Sequence, residues 1–361
     1  MSLTRMTYIR SLDGLRGVSI LLVLCAHTGL LVGGVLGVDI FFVLSGFLIT
    51  SKLSQEWDLT GSISFKTFYL KRARKLFPVL FLITFLVFIV THGFDTGLEA
   101  QFSGTTVLSI LGGYENWAYL YLNIGSPLLA QTWSLSIEEQ FYLFFPAFFF
   151  LLLSLRVPER GKVGIFFLFV VLSCALKILL IDVQNPHTFT RAYYGTDCRM
   201  DPLFLGAIFA VISGNQGRGL SRLKKWCIGP VQVLAAICVM AGYAFGITGA
   251  NLNFLYFGGF TLFALAAAIL ILNLVEFDTG LVRNFLEFGP IVWLGEISYS
   301  LYLVHFIFTG ERNDALVSYL IRDQAVSQYS LIGLEFFVSI GFAALCYYGL
   351  ERKFIRVGVK S

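Results

Sequence analysis

The sequence predicts an all-α polytopic membrane protein of about ten transmembrane helices, packed in one bundle with both termini in the cytosol. Three observations carry this. Hydrophobic residues make up 57% of the 361 and charged residues 13%, against about 25% charged in soluble domains. So little polar surface leaves lipid as the solvent. Apolar stretches approaching the roughly 20 residues that cross hydrocarbon recur along the chain, and lysine and arginine gather on alternate connections.

The stretches are 14–32, 36–52, 76–94, 135–155, 163–181, 200–213, 228–248, 254–276, 291–310 and 330–350, of which 200–213 is short. Residues 105–122 are moderately apolar but hold Glu115, Asn116 and several tyrosines, which predicts an interfacial or re-entrant piece of an external loop. On one side lie Arg5, Arg10, Arg16, Lys52, Lys66, Lys71, Arg72, Arg74 and Lys75, followed by Arg156, Arg160 and Lys162. The same side continues with Arg218, Arg222, Lys224, Lys225, Arg283, Arg352, Lys353, Arg356 and Lys360. These are 21 of the 26 basic residues. Arg191, Arg199, Arg312 and Arg322 fall on the other side, Lys177 falls inside a span, and the loop 95–134 has no Lys or Arg. The basic side is cytosolic by the positive-inside rule, and the N-terminus lies there.

No stretch reads as a separate soluble domain, so residues 1–361 form one unit with a long extracytoplasmic loop at 95–134 and a basic cytosolic loop at 53–75. The six cysteines show no CxxC or Cys/His cluster, and no metal is expected. The first apolar stretch carries Arg16 and His27 and has no small-residue cleavage site, so it reads as a retained helix. Membrane lipid is an expected partner and nucleic acid is not.

Ionisable groups inside a span are costly and mark function by default. Arg16 and His27 lie eleven residues apart on the first helix. At 100° per residue that is three turns plus about 20°, with ~16 Å along the axis, so both share one face. Arg16 then sits at the cytosolic boundary and His27 past mid-membrane. Asp39 enters the second span from outside, and Glu138 and Glu139 open the fourth beside Trp133. His305 lies ~21 Å above the cytosolic end of its helix. Arg199 and Asp201 mark an outer boundary, where pairing or water explains them as well as function does. A histidine oriented by a carboxylate suits removal of a proton from a hydroxyl, and either Asp39 or Glu138 could be the partner of His27.

On the cytosolic side, residues 71–78 read Lys-Arg-Ala-Arg-Lys-Leu-Phe-Pro. Such a cluster anchors topology against anionic lipid; Arg72, Arg74 and Lys75 can equally clamp phosphate. There is no Walker or GxGxxG motif. In the external loop, Tyr114, Trp117, Tyr119, Tyr121 and Trp133 suit the membrane interface and can also stack on sugars.

These residues resemble acyltransferase family 3, membrane O-acyltransferases of bacterial surface glycans and some secondary metabolites, over nearly the whole length. The opening motif is Arg10-Ser-Leu-Asp13-Gly14-Leu15-Arg16-Gly17 with His27 following Arg16 after ten residues. Gly37-Val38-Asp39 through Ser45-Gly46-Phe47 matches as well. So do Trp133-Ser134-Leu135-Ser136-Ile137-Glu138-Glu139-Gln140-Phe141-Tyr142, Arg199-Met-Asp201 and Ser298-Tyr299-Ser300-Leu301-Tyr302-Leu303-Val304-His305. One departure is Lys75, where the family has a second arginine in Arg-x-x-Arg. Many members carry a C-terminal extracytoplasmic hydrolase-like domain. The present sequence ends eleven residues after its last predicted span and is expected to deliver acyl groups without one.

The resemblance implies acyl-CoA, usually acetyl-CoA, as cytosolic donor, a carbohydrate hydroxyl as acceptor, and a bacterial inner (cytoplasmic) membrane as location. It assigns the essential roles to Arg16 and His27. His27, with Asp39 or Glu138, is the expected catalytic group, and Arg16, Arg72, Arg74 and Lys75 are expected to bind CoA. Trp133, Tyr302 and His305 are expected to bind the acceptor. Direct transfer is favoured over an acyl-enzyme on Ser45, Cys25 or His27. A transporter or flippase of a glycan, using the same intramembrane charges without chemistry, is the principal rival. A non-catalytic scaffold would leave Arg16 and His27 without purpose.

Overall fold

The computed structural model describes residues 8–93, 102–214, 221–248, 252–277, 279–309 and 328–357. Arg5, Arg218, Arg312, Arg322 and Lys360, which contribute to the expected orientation, and residues 94–101 of the external loop lie outside the described residues. Every regular element among the described residues is helical. The order begins α1 (Arg10–His27), a 3-10 turn (Val32–Leu36), α2 (Gly37–Thr60), α3 (Phe65–Gly93), α4 (Gly104–Leu111), α5 (Glu115–Leu122) and α6 (Thr132–Ser154). It continues α7 (Glu159–Leu180), α8 (Pro186–Tyr194), α9 (Thr196–Arg199), α10 (Asp201–Gly214), α11 (Ser221–Cys227) and α12 (Pro230–Gly246). After a 3-10 turn (Leu252–Phe257) come α13 (Gly259–Glu276), α14 (Leu281–Leu286), α15 (Gly289–Glu296), α16 (Ser298–Thr309) and α17 (Gln328–Cys346). A π-helical turn (Tyr347–Glu351) then leads into α18 (Arg352–Val357).

Each of the ten predicted stretches overlaps a helix among the described residues, although 14–32 runs past the end of α1 at His27. Six helical segments are long and apolar enough to cross a membrane: Val32–Thr60, α3, α6, α7, α13 and Tyr329–Ile355. The predicted stretches at 200–213 and 228–248 are the shorter apolar helices α10 and α12. The predicted span 291–310 is two helices, α15 and α16, which break at Ile297. This is a multi-pass membrane protein. The basic run at 71–75 is helical, because α2 continues to Thr60 and α3 begins at Phe65. Only a short turn separates them, opened by Gly61 at φ 70°, whose N–H closes α2 on Trp57 O.

The described residues form two compact units. One contains residues up to 23, 31–63 and 137–295. Its centre is the crossing of α2 and α10. An added Cβ on Gly46 would strike the Leu203 carbonyl, and one on Gly206 would strike the Val43 carbonyl. Two glycines therefore bring the backbones together, as lipid-embedded packing requires. Phe141, Phe145 and Phe149 stack along α6 at one-turn spacing, with ring centroids 4.4 and 5.6 Å apart. Phe204 of α10 stacks on Phe169 of α7 at 4.5 Å.

The same unit buries two ion pairs. Lys177 Nζ lies 2.8 Å from Asp201 Oδ2, with Thr261 donating to the same oxygen at 2.6 Å and Ser173 to Oδ1 at 3.3 Å. Arg199 Nη2 lies 3.0 Å from Asp39 Oδ2. All four side chains are fully buried. The Arg199 guanidinium also lies 4.1 Å from the Phe260 ring centroid, a cation–π contact that partly replaces lost water.

The second unit contains residues 24–30, 64–136 and 296 onward. Helix α16 is its organising element, gripped by side-chain bonds from several segments. Tyr299 donates to Leu76 O of α3 at 2.7 Å, Ser300 to Glu351 Oε2 at 2.6 Å, and Gln131 Nε2 to Leu303 O at 2.8 Å. The π turn carries one residue more than an α turn, a feature frequent at functional sites, and it holds Glu351, which is 1% exposed. Within the expected external loop, Ser103 caps α4 by accepting from Thr106 N. The Glu115 N–H at the start of α5 donates to Ser136 Oγ at 3.2 Å.

Candidate functional site

Helix α1 ends on His27, and its ring meets His305 of α16. His305 Nε2 is 3.3 Å from His27 Nδ1, and His305 Nδ1 is 2.8 Å from the Tyr302 carbonyl. The two ring centroids are 5.0 Å apart, and Phe306 stands edge-on to His27, also at 5.0 Å. His305 is fully buried, whereas His27 is half-buried. The Tyr302 hydroxyl, one turn before His305, is 2.6 Å from Ser134 Oγ and donates to Gln131 O at 3.3 Å. Trp133 is buried beside them in sequence, at the start of α6. Four predicted site residues, His27, Trp133, Tyr302 and His305, thus belong to one unit.

Arg72, Arg74 and Lys75 belong to it as well, on α3. Arg72 and Lys75, three residues apart, share a helix face, and Arg72 lies over the Phe68 ring at 5.9 Å. All three side chains are partly exposed, as a phosphate ligand requires.

The remaining predicted residues lie in the other unit. Arg16 Nη1 donates to Asp13 Oδ1 at 2.9 Å, and both side chains reach solvent or lipid. Asp39 has the guanidinium of Arg199 as its partner. Its Oδ1, and Arg199 Nε and Nη1, are buried with no hydrogen-bond partner among the described residues. Glu138 accepts from Ser45 Oγ at 2.8 Å on Oε1 and from the Tyr142 hydroxyl at 2.6 Å on Oε2. That carboxylate collects two hydroxyl donors, and the two hydroxyl oxygens are themselves 2.9 Å apart.

Three residues of this region have no role assigned from the sequence, although Ser134 lies inside the motif that begins at Trp133. Gln131 and Ser134 flank Trp133 and hold the His305 helix; Gln131 Oε1 is buried without a partner among the described residues. Glu351 falls one residue past the last predicted stretch, yet it is buried on Ser300. Outside the spans, Glu115 is also buried, with Oε2 unpartnered among the described residues. That burial pushes its carboxyl up from 4.5 to about 8.

Residues 9–348 match the sequence profile of an acyltransferase domain. The chain belongs to acyltransferase family 3. It is 32% identical over 369 residues to a provisionally named O-acetyltransferase of Staphylococcus aureus (strain COL), covering 99% of this chain and 59% of that protein. It is 31% identical over 367 residues to O-acetyltransferase OatA of S. aureus (strain NCTC 8325 / PS 47), covering 98% of this chain and 58% of OatA. The chain therefore spans somewhat over half the length of these relatives. No solved structure matches.

Proposed function

We propose that this protein transfers an acyl group, acetyl in the first instance, from cytosolic acyl-CoA to a hydroxyl of an extracytoplasmic carbohydrate, in a bacterial cytoplasmic membrane. The observation that carries the reading is the half-buried His27 ring docked through Nδ1 on a fully buried histidine. A held imidazole of this kind is equipped to act as a general base. Membership of an acyltransferase family supplies the reaction class, and the names of the relatives support oxygen as the acylated atom.

In this mechanism His27 removes the proton of the acceptor hydroxyl as its oxygen attacks the thioester carbonyl. The new C–O bond forms, the C–S bond breaks, and the departing CoA thiolate recovers the proton from the imidazolium. Arg72, Arg74 and Lys75 hold the CoA phosphates on α3. Trp133 and Tyr302 line the acceptor side. A second reading is favoured by one bond: Ser45, donating to Glu138, is a serine beside a base and could carry the acyl group as an ester before transfer.

Purified protein incubated with labelled acetyl-CoA tests these readings together. Free CoA should appear in proportion to an added glycan acceptor; no CoA release with any acceptor would favour a transporter. His27→Ala should lower transfer about 100-fold or more while membrane insertion and CoA binding persist. Full activity in that variant would remove His27 as base. Arg72→Ala should weaken CoA binding about tenfold without loss of fold, and an unchanged affinity would remove the clamp. Label retained on Ser45 in the absence of acceptor would establish the relay.

A further inference from the structure

We propose that His305 is a positioning residue that locks His27 in the tautomer with hydrogen on Nδ1, which places the basic lone pair of His27 on Nε2. The inference rests on His27 being the base and assigns which of its nitrogens takes the proton.

One main-chain atom sets the order of the bonds. A backbone carbonyl only accepts hydrogen bonds. Tyr302 O lies 2.8 Å from His305 Nδ1, so that nitrogen must carry the hydrogen. In a neutral imidazole the other nitrogen is then an acceptor. His305 Nε2 is therefore a lone pair, and it faces His27 Nδ1 at 3.3 Å. Two lone pairs would repel, so His27 Nδ1 supplies the hydrogen. In neutral His27 that leaves Nε2 unprotonated. His27 Nδ1–H thus donates to His305 Nε2, and His305 Nδ1–H donates to the Tyr302 carbonyl.

The surroundings hold this order in place. His305 is fully buried, and α16 carries it at a register that Gln131 pins through Leu303 O, two residues earlier. Thr309, one turn later, donates to His305 O at 3.1 Å. The histidine cannot turn over without giving up its bond to Tyr302 O. When His27 Nε2 takes a proton from an attacking hydroxyl, the Nδ1–H remains directed at the His305 lone pair. The imidazolium keeps its partner, and no bond has to be rebuilt during the step. Histidine is thus oriented by a neutral acceptor, a role that a carboxylate or carbonyl fills in other sites.

The protein has four histidines, so nitrogen-15 NMR on histidine-labelled protein in detergent or nanodiscs is assignable by single substitution. Without donor or acceptor present, His27 should show a protonated Nδ1 and an unprotonated Nε2. In His305→Phe the His27 signals should change to the Nε2–H form that free histidine prefers. kcat should then fall about 100-fold, with less than about a twofold change in KM for acyl-CoA. His305→Gln, whose amide oxygen can accept from His27 Nδ1–H while its NH2 faces Tyr302 O, should restore the tautomer and at least about a tenth of kcat. An Nε2–H His27 in the unsubstituted protein overturns the lock, and this outcome does not depend on His305→Phe folding. An unchanged His27 tautomer in folded His305→Phe overturns it equally. These spectra decide the tautomer independently of transfer. Full activity of His27→Ala would instead overturn His27 as base and leave the tautomer result standing.

Discussion

In the unit built on α2, α7, α10 and α13, the fully buried charges are set against each other: Lys177 with Asp201, and Arg199 with Asp39. In the unit built on α3 and α16 the buried polar groups are mostly hydroxyls, amides and imidazoles joined by directional bonds, as in the Ser134–Tyr302 and His27–His305 pairs. Opposed charges cancel inside the first unit, and Asp39 and Arg199 there are tied to each other at no exposure. The second keeps a half-buried ring whose hydrogen position is dictated by its neighbours. A cancelled charge holds helices together; an oriented neutral base has a proton still to take. Asp39 is thereby suited to a holding role, and the proposed chemistry falls to His27.

The largest effect that would break this contrast concerns Asp39. Asp39→Ala leaves Arg199 charged and unpaired in the interior, which should cost about 3–5 kcal/mol, read as loss of folded protein in detergent. Replacing both partners, Asp39→Leu with Arg199→Met, should recover much of that loss, because buried pairs often exchange for apolar residues at little cost. A folded double variant that transfers acyl groups normally supports the holding role. One that folds but is inactive returns Asp39 to the reaction.

Glu115 sharpens the contrast next, as a buried acid raised by desolvation alone. Its value of about 8 lies above the ordinary 4.5, so folding holds the proton that the unfolded chain releases. Stability from this group is present below about pH 4.5 and is lost as pH rises toward 8. Glu115→Gln should therefore raise the thermal midpoint at pH 9 and leave it unchanged at pH 4. The difference should be at least about 1.4 kcal/mol, the free energy of a tenfold change in proton affinity. Equal midpoints at both pH values would show that the carboxyl is not held neutral.

The smallest effect is the most selective. Tyr302→Phe removes the hydroxyl bonded to Ser134 and Gln131 and should cost about 1 kcal/mol. It should leave the His27 tautomer untouched, because His305 is held by the Tyr302 main-chain carbonyl. A changed tautomer in that variant would mean that α16 itself had shifted.

Each apolar stretch overlaps a helix, six of the described helical segments being long and apolar enough to cross a membrane, and the motifs single out His27 and His305, which meet. Pairing between helices is less legible. Asp39 and Arg199 are 160 positions apart, and periodicity says which face of a helix is apolar without saying which helix it will meet. On sequence alone, two carboxylates therefore stand open as partners for His27. The structure pairs one with a guanidinium and gives the other to Ser45 and Tyr142. The break at Ile297 is hidden because Gly289–Thr309 is apolar nearly throughout, and hydropathy does not register a change of direction. Glu351 draws no notice because a charge at the end of an apolar run normally faces water. Here a wide turn carries it in to Ser300.

That wide turn has a consequence for how the chain tolerates change. Deleting one residue almost anywhere along α17 or α18 would rotate everything after it by about 100° and turn the neighbouring faces the wrong way. Within Tyr347–Leu350 the π turn already holds a surplus residue, and its loss would let the backbone tighten into ordinary helix with the segments on either side still aligned. A shortening there should spare Arg352 and Lys353 their orientation, so the C-terminal helix carries its own slack.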